Sequence, residues 1–121
     1  MALNINGTTG LTFNNGSTQE VGGVGTGEQT WQNVTASRVE GTTYTNTTGK
    51  PIMVNLQAYQ TVVGSGGITG YCEGIIVAQM QPWGPSAAYG GAVSFIVPNG
   101  STYAGVFTGS AGYISRWTEL R

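Results

Sequence analysis

The chain has 121 residues, enough for one domain with a modest core and too few for two comfortable ones. Only 7% of them are charged, against about 25% in ordinary soluble domains, and the formal net charge is −1. The four basic residues Arg38, Lys50, Arg116 and Arg121 are scattered and give no footprint for a phosphate backbone, which argues against nucleic acid. Hydrophobic residues make up 39%, so disorder by low hydrophobicity is excluded, and the surface must be kept wet by Thr, Ser, Asn and Gln rather than by charge. Such a chain has little electrostatic protection against association and fits a permanent homo-oligomer or a rigid extracellular module. No apolar run approaches the roughly 18–20 residues that cross a bilayer, and the start MALNINGTTG lacks the basic and apolar parts of a signal peptide. No membrane insertion is expected.

Residues 1–27 differ from the rest. Leu3/Ile5 and Leu11/Phe13 form two short alternating segments, each followed by Asn-Gly, which predicts tight hairpins. Residues 21–27, VGGVGTG, read as a flexible connector. The chain thus divides into a stalk or collar with linker, 1–27, and a globular domain, 28–121.

Trp31, Val34 and Val39 are the first core candidates, with Thr30 or Thr35 beginning a bend. Residues 38–56 read as a central hairpin: a Thr- and Tyr-rich strand, a turn at 46–51 in which Gly49 takes positive φ, and a strand with Ile52, Val54 and Leu56 on one face. Residues 64–70, GSGGITG, read as a loop. Residues 71–80, YCEGIIVAQM, read as one strand buried on both faces, with Cys72 a small buried hydrophobe. Residues 81–91 form an irregular loop stiffened by Pro82 and Pro85. Residues 92–97 and 102–107 read as a hairpin with Val93, Phe95 and Val97 alternating against Tyr103 and Phe107. In the last strand, 109–121, Tyr113, Ser115, Trp117 and Glu119 share one face. No helix of convincing length is expected. The fold class is all-β, an antiparallel β-sandwich.

Enzymatic chemistry finds little to work with. The chain has no His and no Asp, so Ser-His-Asp and Cys-His arrangements and a His/Cys zinc set are absent. Five glutamates are present and none lies near another in sequence, whereas a glycosidase needs a facing pair. No cofactor is expected. The better candidates are aromatics in loops, where a flat ring can stack on a sugar's apolar face or anchor a protein contact. Trp83 and Tyr89 lie in the longest irregular loop with Gln81 at its start; Tyr71 borders the Gly-rich stretch, with Glu73 two residues on. Trp83 could equally fold back under its prolines, and Tyr71 could be a core or strand-face residue. Arg116 and Glu119 are candidates to pair with Arg38 or Glu40 at a subunit interface.

The stretch GTTGLTFNNGSTQ resembles the short stalk motif that precedes the C-terminal domains of tailed-bacteriophage tail fibres. WQNV…R…GTTYTNTTGKPIMV, SFIVPNGSTY and the closing ISRWTELR are similar to the receptor-binding tip, or knob, of those fibres. The resemblance covers nearly the whole chain apart from 64–91. It implies a homotrimeric, jelly-roll-like β-sandwich at the distal end of a fibre, carried on the virion and engaging a glycan or outer-surface protein of the bacterial cell without chemistry. It also implies a longer parent chain.

Overall fold

The cleanest alternation in the sequence, residues 52–60, becomes the organising strand. In the computed structural model Ile52, Val54, Leu56, Ala58 and Gln60 all point inward and are buried, while Met53, Asn55, Gln57 and Tyr59 point outward. Burying a large aliphatic side chain stabilises by about 1.5–3 kcal/mol, so a slip of one residue, which would turn this whole set to solvent, is strongly disfavoured. The structure describes residues 4–6, 10–12, 18–19, 24–25, 28–62, 66–81 and 90–121.

Three short strands open the chain: β1 (Asn4–Asn6), β2 (Gly10–Thr12) and β3 (Thr18–Gln19), a small antiparallel sheet in that order. The pairings expected around Asn6-Gly7 and Asn15-Gly16 are therefore present. Eight further strands follow: β4 (Trp31–Asn33), β5 (Tyr44–Thr45), β6 (Ile52–Gln60), β7 (Gly66–Cys72), β8 (Ile75–Met80), β9 (Gly91–Val97), β10 (Thr102–Gly109) and β11 (Gly112–Leu120). They form two four-stranded sheets, β5-β10-β7-β8 and β4-β11-β6-β9. The partners β4/β11, β5/β10, β6/β9 and β7/β8 are those of one long antiparallel ribbon rolled upon itself. That winding is the jelly roll. Among the described residues the sole helical segment is a 3-10 turn at Thr35–Ser37, where the bend at Thr35 was expected.

This winding corrects two expected hairpins. β5 and β6 lie in different sheets, and so do β9 and β10; the turns at 46–51 and 98–101 cross the sandwich instead of closing hairpins. The alternation was right and the partner was not, because a turn signal marks where a strand reverses and not which sheet receives it. Asn46, fully buried, holds the two crossings together. Its side-chain nitrogen donates to the carbonyls of Lys50 (2.7 Å), Val97 and Pro98 (3.1 Å each), and its oxygen accepts from Thr48 N and Oγ1. Gly49 takes the positive φ expected of it.

The stretch 71–80 is not one strand. Glu73 (φ 53°) and Gly74 (φ 74°) make a two-residue turn with both central φ values positive, and among the described residues β7–β8 is the one hairpin of the sandwich. Residues 66–70, expected to be loop, belong to buried β7. Gly70 and Gly105 sit opposite each other on the inner face of their sheet. A Cβ on Gly105 would meet Leu56 Cδ1 at 2.7 Å and Trp117 Cζ3 at 3.0 Å; one on Gly70 would run into the Phe95 ring. The glycines leave the space that the large rings of the facing sheet fill. β8 is also not buried on both faces: Ile75, Ile76 and Val77 are exposed.

In β11 the register shifts between Ile114 and Arg116, a bulge that breaks the expected face. Tyr113 is exposed, whereas Trp117 and Glu119 are fully buried. Trp31 and Val39, expected in the core, are 53% and 64% exposed, and Val34 alone of that trio packs against the core. Cys72 is buried as expected, and that burial, with Glu73 beside it, raises its thiol pKa.

The two ends of the sandwich differ. One holds Thr30 bonded to Arg121, the turns at 46–51 and 98–101, and the Glu73-Gly74 turn. At the other, β6, β8 and β10 end and β7, β9 and β11 begin, with Thr61 N donating to Ala111 O at 2.9 Å. Nine-residue β6 spans between them, about 30 Å at the usual strand rise.

Candidate functional site

The expected ligand-binding residues do not form one site. Gln81 is exposed where β8 ends, at the end of the sandwich away from Thr30. Trp83 and Tyr89 lie outside the described residues. Tyr71 and Glu73 belong to the opposite end, a β7 length away. Glu73 is not a free acid: its Oε1 accepts from Thr102 N at 2.5 Å and Thr102 Oγ1 at 3.4 Å, while its own N–H donates to Thr102 O. These bonds hold a non-glycine residue in the left-handed region and lock the turn to the start of β10.

Tyr71 borders a groove of about 280 Å³ lined by Thr43, Tyr71, Gly74, Thr102, Tyr103 and Ala104. Its origin is the register of the outer sheet face. Ala104 of β10 stands beside Tyr71 of β7, which stands beside Ile76 of β8. β5 ends this row, since Tyr44 pairs with Tyr103 and Thr43 is next in line. The methyl of Ala104 is too short to fill the space between Thr43 and Tyr71. No lining residue carries a charge.

Beneath the groove lies a carboxylate that accepts five hydrogen bonds. The carboxylate of Glu119, fully buried, accepts from Arg38 Nε (2.9 Å) and Nη2 (3.0 Å), Tyr103 Oη (2.8 Å), Trp117 Nε1 (3.1 Å) and Arg121 Nη1 (2.9 Å). Arg38 also lies over the Tyr44 ring at 4.5 Å, and Tyr44 meets Trp117 edge-on. The pairing of Glu119 with Arg38, which the sequence placed at a subunit interface, is inside one chain; Arg116 is exposed and apart from it. Burial lowers the Arg38 pKa, but the hydrogen bond and charge of Glu119 outweigh it, so the guanidinium pKa is raised.

Tyr103 is pushed up to about 12, first by burial and then by its hydrogen bond to the Glu119 carboxylate and that charge. Its proton stays bound in the folded chain at pH values where the unfolded chain, with a value near 10.0, has lost it. Stability from this group is therefore complete below pH 10 and falls as pH climbs through about 12. Urea unfolding across that window should show the decline, and Tyr103→Phe should flatten it. Equal slopes in both proteins would contradict the assignment.

The outer face of the other sheet carries a second feature that sequence reading missed. Trp31, Leu120, Met53 and Ile96 align across β4-β11-β6-β9 as one apolar row, with Trp31 53% and Ile96 56% exposed. Beside it runs a polar row, Asn33, Thr118, Asn55 and Ser94, in which Asn55 Nδ2 donates to Ser94 Oγ at 2.7 Å. Only the inter-strand register could reveal these rows, since each member comes from a different strand.

Among the described residues no group of three or more His, Cys, Asp or Glu is placed to hold a metal ion. Comparison of the chain with protein-family models, with curated proteins and with solved structures found no match.

Proposed function

We propose that the protein is a non-enzymatic receptor-binding module, the distal tip of a tailed-phage tail fibre that attaches to a glycan or outer-surface protein of the bacterial cell. The observation that carries this reading is the polarity of the jelly roll. The chain comes into the sandwich at Thr30, while β6, β8 and β10 end, and β7, β9 and β11 begin, about 30 Å away at the opposite end. An attachment domain needs that separation between its point of tethering and its reading loops, and loops on a rigid scaffold are where recognition concentrates. Glu119 is fully buried with both carboxylate oxygens bonded, and Glu73 is tied through Oε1 to Thr102.

The test is competition for adsorption by purified protein at saturating concentration, with Trp83→Ala and Tyr89→Ala as paired variants. Competition should be seen with the parent chain and be lost in at least one variant whose melting temperature is unchanged. Failure of the parent protein to compete on any susceptible strain would remove the reading.

A second reading, that the domain trimerises and caps a fibre while receptor contact lies elsewhere, is favoured by the Trp31–Leu120–Met53–Ile96 row. Exposed apolar area of this kind on a charge-poor face suits a permanent subunit contact. Trimeric mass by light scattering, lost in a Trp31→Ser/Ile96→Ser double variant, would support it. The two readings are compatible.

A further inference from the structure

The groove at Tyr71 has the chemistry of a small carbohydrate subsite, and it lies at the end of the sandwich that holds Thr30 and the Glu73-Gly74 turn. We propose that it binds one ring of a neutral sugar, with the pyranose laid on the Tyr71 side chain over Ala104 and its hydroxyls bonded by Thr43 and Thr102.

Three observations converge. The volume, about 280 Å³, is at the small end of ligand pockets and suits a single sugar ring rather than a drug-sized molecule. The walls combine a tyrosine with threonine hydroxyls, and a sugar ring likewise has an apolar C–H face and a hydroxyl rim. Next to it on the same sheet face stands the exposed Gln79, whose Nε2 donates to Oγ1 of the buried Thr69 at 3.2 Å, so the surroundings of the groove are polar and neutral.

Charge decides the class of sugar. No Lys or Arg lines the groove, and the nearby cation Arg38 is committed to Glu119 below it. The nearest carboxylate, Glu73, is held by Thr102. A uronic or sialic acid would find no counter-ion and would feel the negative charge of Glu73, so a neutral hexose or N-acetylhexosamine is selected. The floor is rigid, because Tyr103 is buried and bonded to Glu119 and the Glu73-Gly74 turn is pinned to β10. Little ordering cost is added on binding. The proposal goes beyond the receptor-binding reading, which puts recognition at the opposite end of the sandwich, and does not depend on it.

The full chain is titrated with D-glucose, D-galactose and N-acetyl-D-glucosamine, and separately with D-glucuronic acid, while the Ala104 methyl and Tyr71 ring signals are followed by NMR. A contact this small should give a Kd of about 1 mM or weaker, with saturable shifts at both residues for at least one neutral sugar and none for glucuronic acid. Ala104→Leu, which fills the groove from an outward position, and Tyr71→Ala should each weaken binding by about tenfold or more, while Tyr71→Phe, which keeps the ring, should cost about threefold at most. An unchanged Trp117 indole signal checks that each variant is folded. Absence of shifts with all three neutral sugars, shifts that survive Ala104→Leu, equal response to glucuronic acid, or shifts confined to residues 81–90 would each overturn the proposal. Adsorption competition is scored separately: its loss with groove shifts intact removes the receptor reading alone, and the converse removes the groove alone.

Discussion

Glu119→Gln is expected to cost about 3–5 kcal/mol of folding stability, the range for breaking a buried ion pair by removing one partner. The substitution conserves shape, so packing alone predicts almost nothing. Electrostatics predicts the loss. Oε1 could still accept from Arg38 Nε, Tyr103 Oη and Trp117 Nε1, but an amide nitrogen at the Oε2 position would face the Arg38 Nη2 and Arg121 Nη1 donors now at 3.0 and 2.9 Å. Donor would meet donor, and the guanidinium of Arg38, 13% exposed, would lose its counter-charge. For a domain of this size the melting temperature should fall by roughly 12 °C or more. Arg121→Ala supplies the contrast: its side chain is 31% exposed, so water replaces it and the loss should stay near 1 kcal/mol or below. A Glu119→Gln melting curve superimposable on that of the parent would show that the five-bonded carboxylate contributes nothing net.

Gly70→Val should be almost as damaging, in a direction that strand propensity gets wrong. Valine is a strong strand former and glycine a weak one, so propensity alone predicts stabilisation in the middle of β7. The Cβ would instead collide with Cε1 and Cδ1 of Phe95, a ring buried to 6% exposure on the facing sheet. Overpacking of this sort costs about 1–3 kcal/mol, and here the clash is with a ring that cannot swing to solvent. Phe95→Leu alone should also destabilise by leaving a cavity, yet the double variant should be less unstable than the sum of the two by about 1 kcal/mol or more. Urea midpoints for the four members of this cycle decide it. Strict additivity would mean that Gly70 and Phe95 do not meet as the structure places them.

How far the sequence could be read depended on the range of the interaction involved. The inward sets Ile52/Val54/Leu56 and Val93/Phe95/Val97 were legible because alternation is a property of a single strand. The Glu73-Gly74 turn was missed because Asn-Gly or Asp-Gly is the usual signature. Here a glutamate occupies the left-handed position only because Thr102, distant in sequence, bonds its carboxylate. The inward Trp117 and Glu119 were seen as sharing a face with Tyr113, since nothing local announces the bulge between Ile114 and Arg116. Of the candidate site, Tyr71 could be nominated as an aromatic beside a glycine-rich stretch. Thr43, Thr102 and Ala104 could not, since they are brought to it by pairing among β5, β7 and β10.

By itself the sequence determined the all-β class, the inward faces of its best strands, the places where the chain must turn, and a surface almost without charge. These follow from period-two burial, backbone preference and composition, all of which act within a few residues. Only the tertiary structure decided which sheet each strand joined, and so turned two apparent hairpins into crossings of a jelly roll. It also buried Glu119 between two arginines, set glycines opposite the Phe95 and Trp117 rings, and opened a groove over Ala104. Each of those depends on groups far apart in the chain meeting at a few ångströms, where volume, hydrogen-bond geometry and charge must be satisfied together.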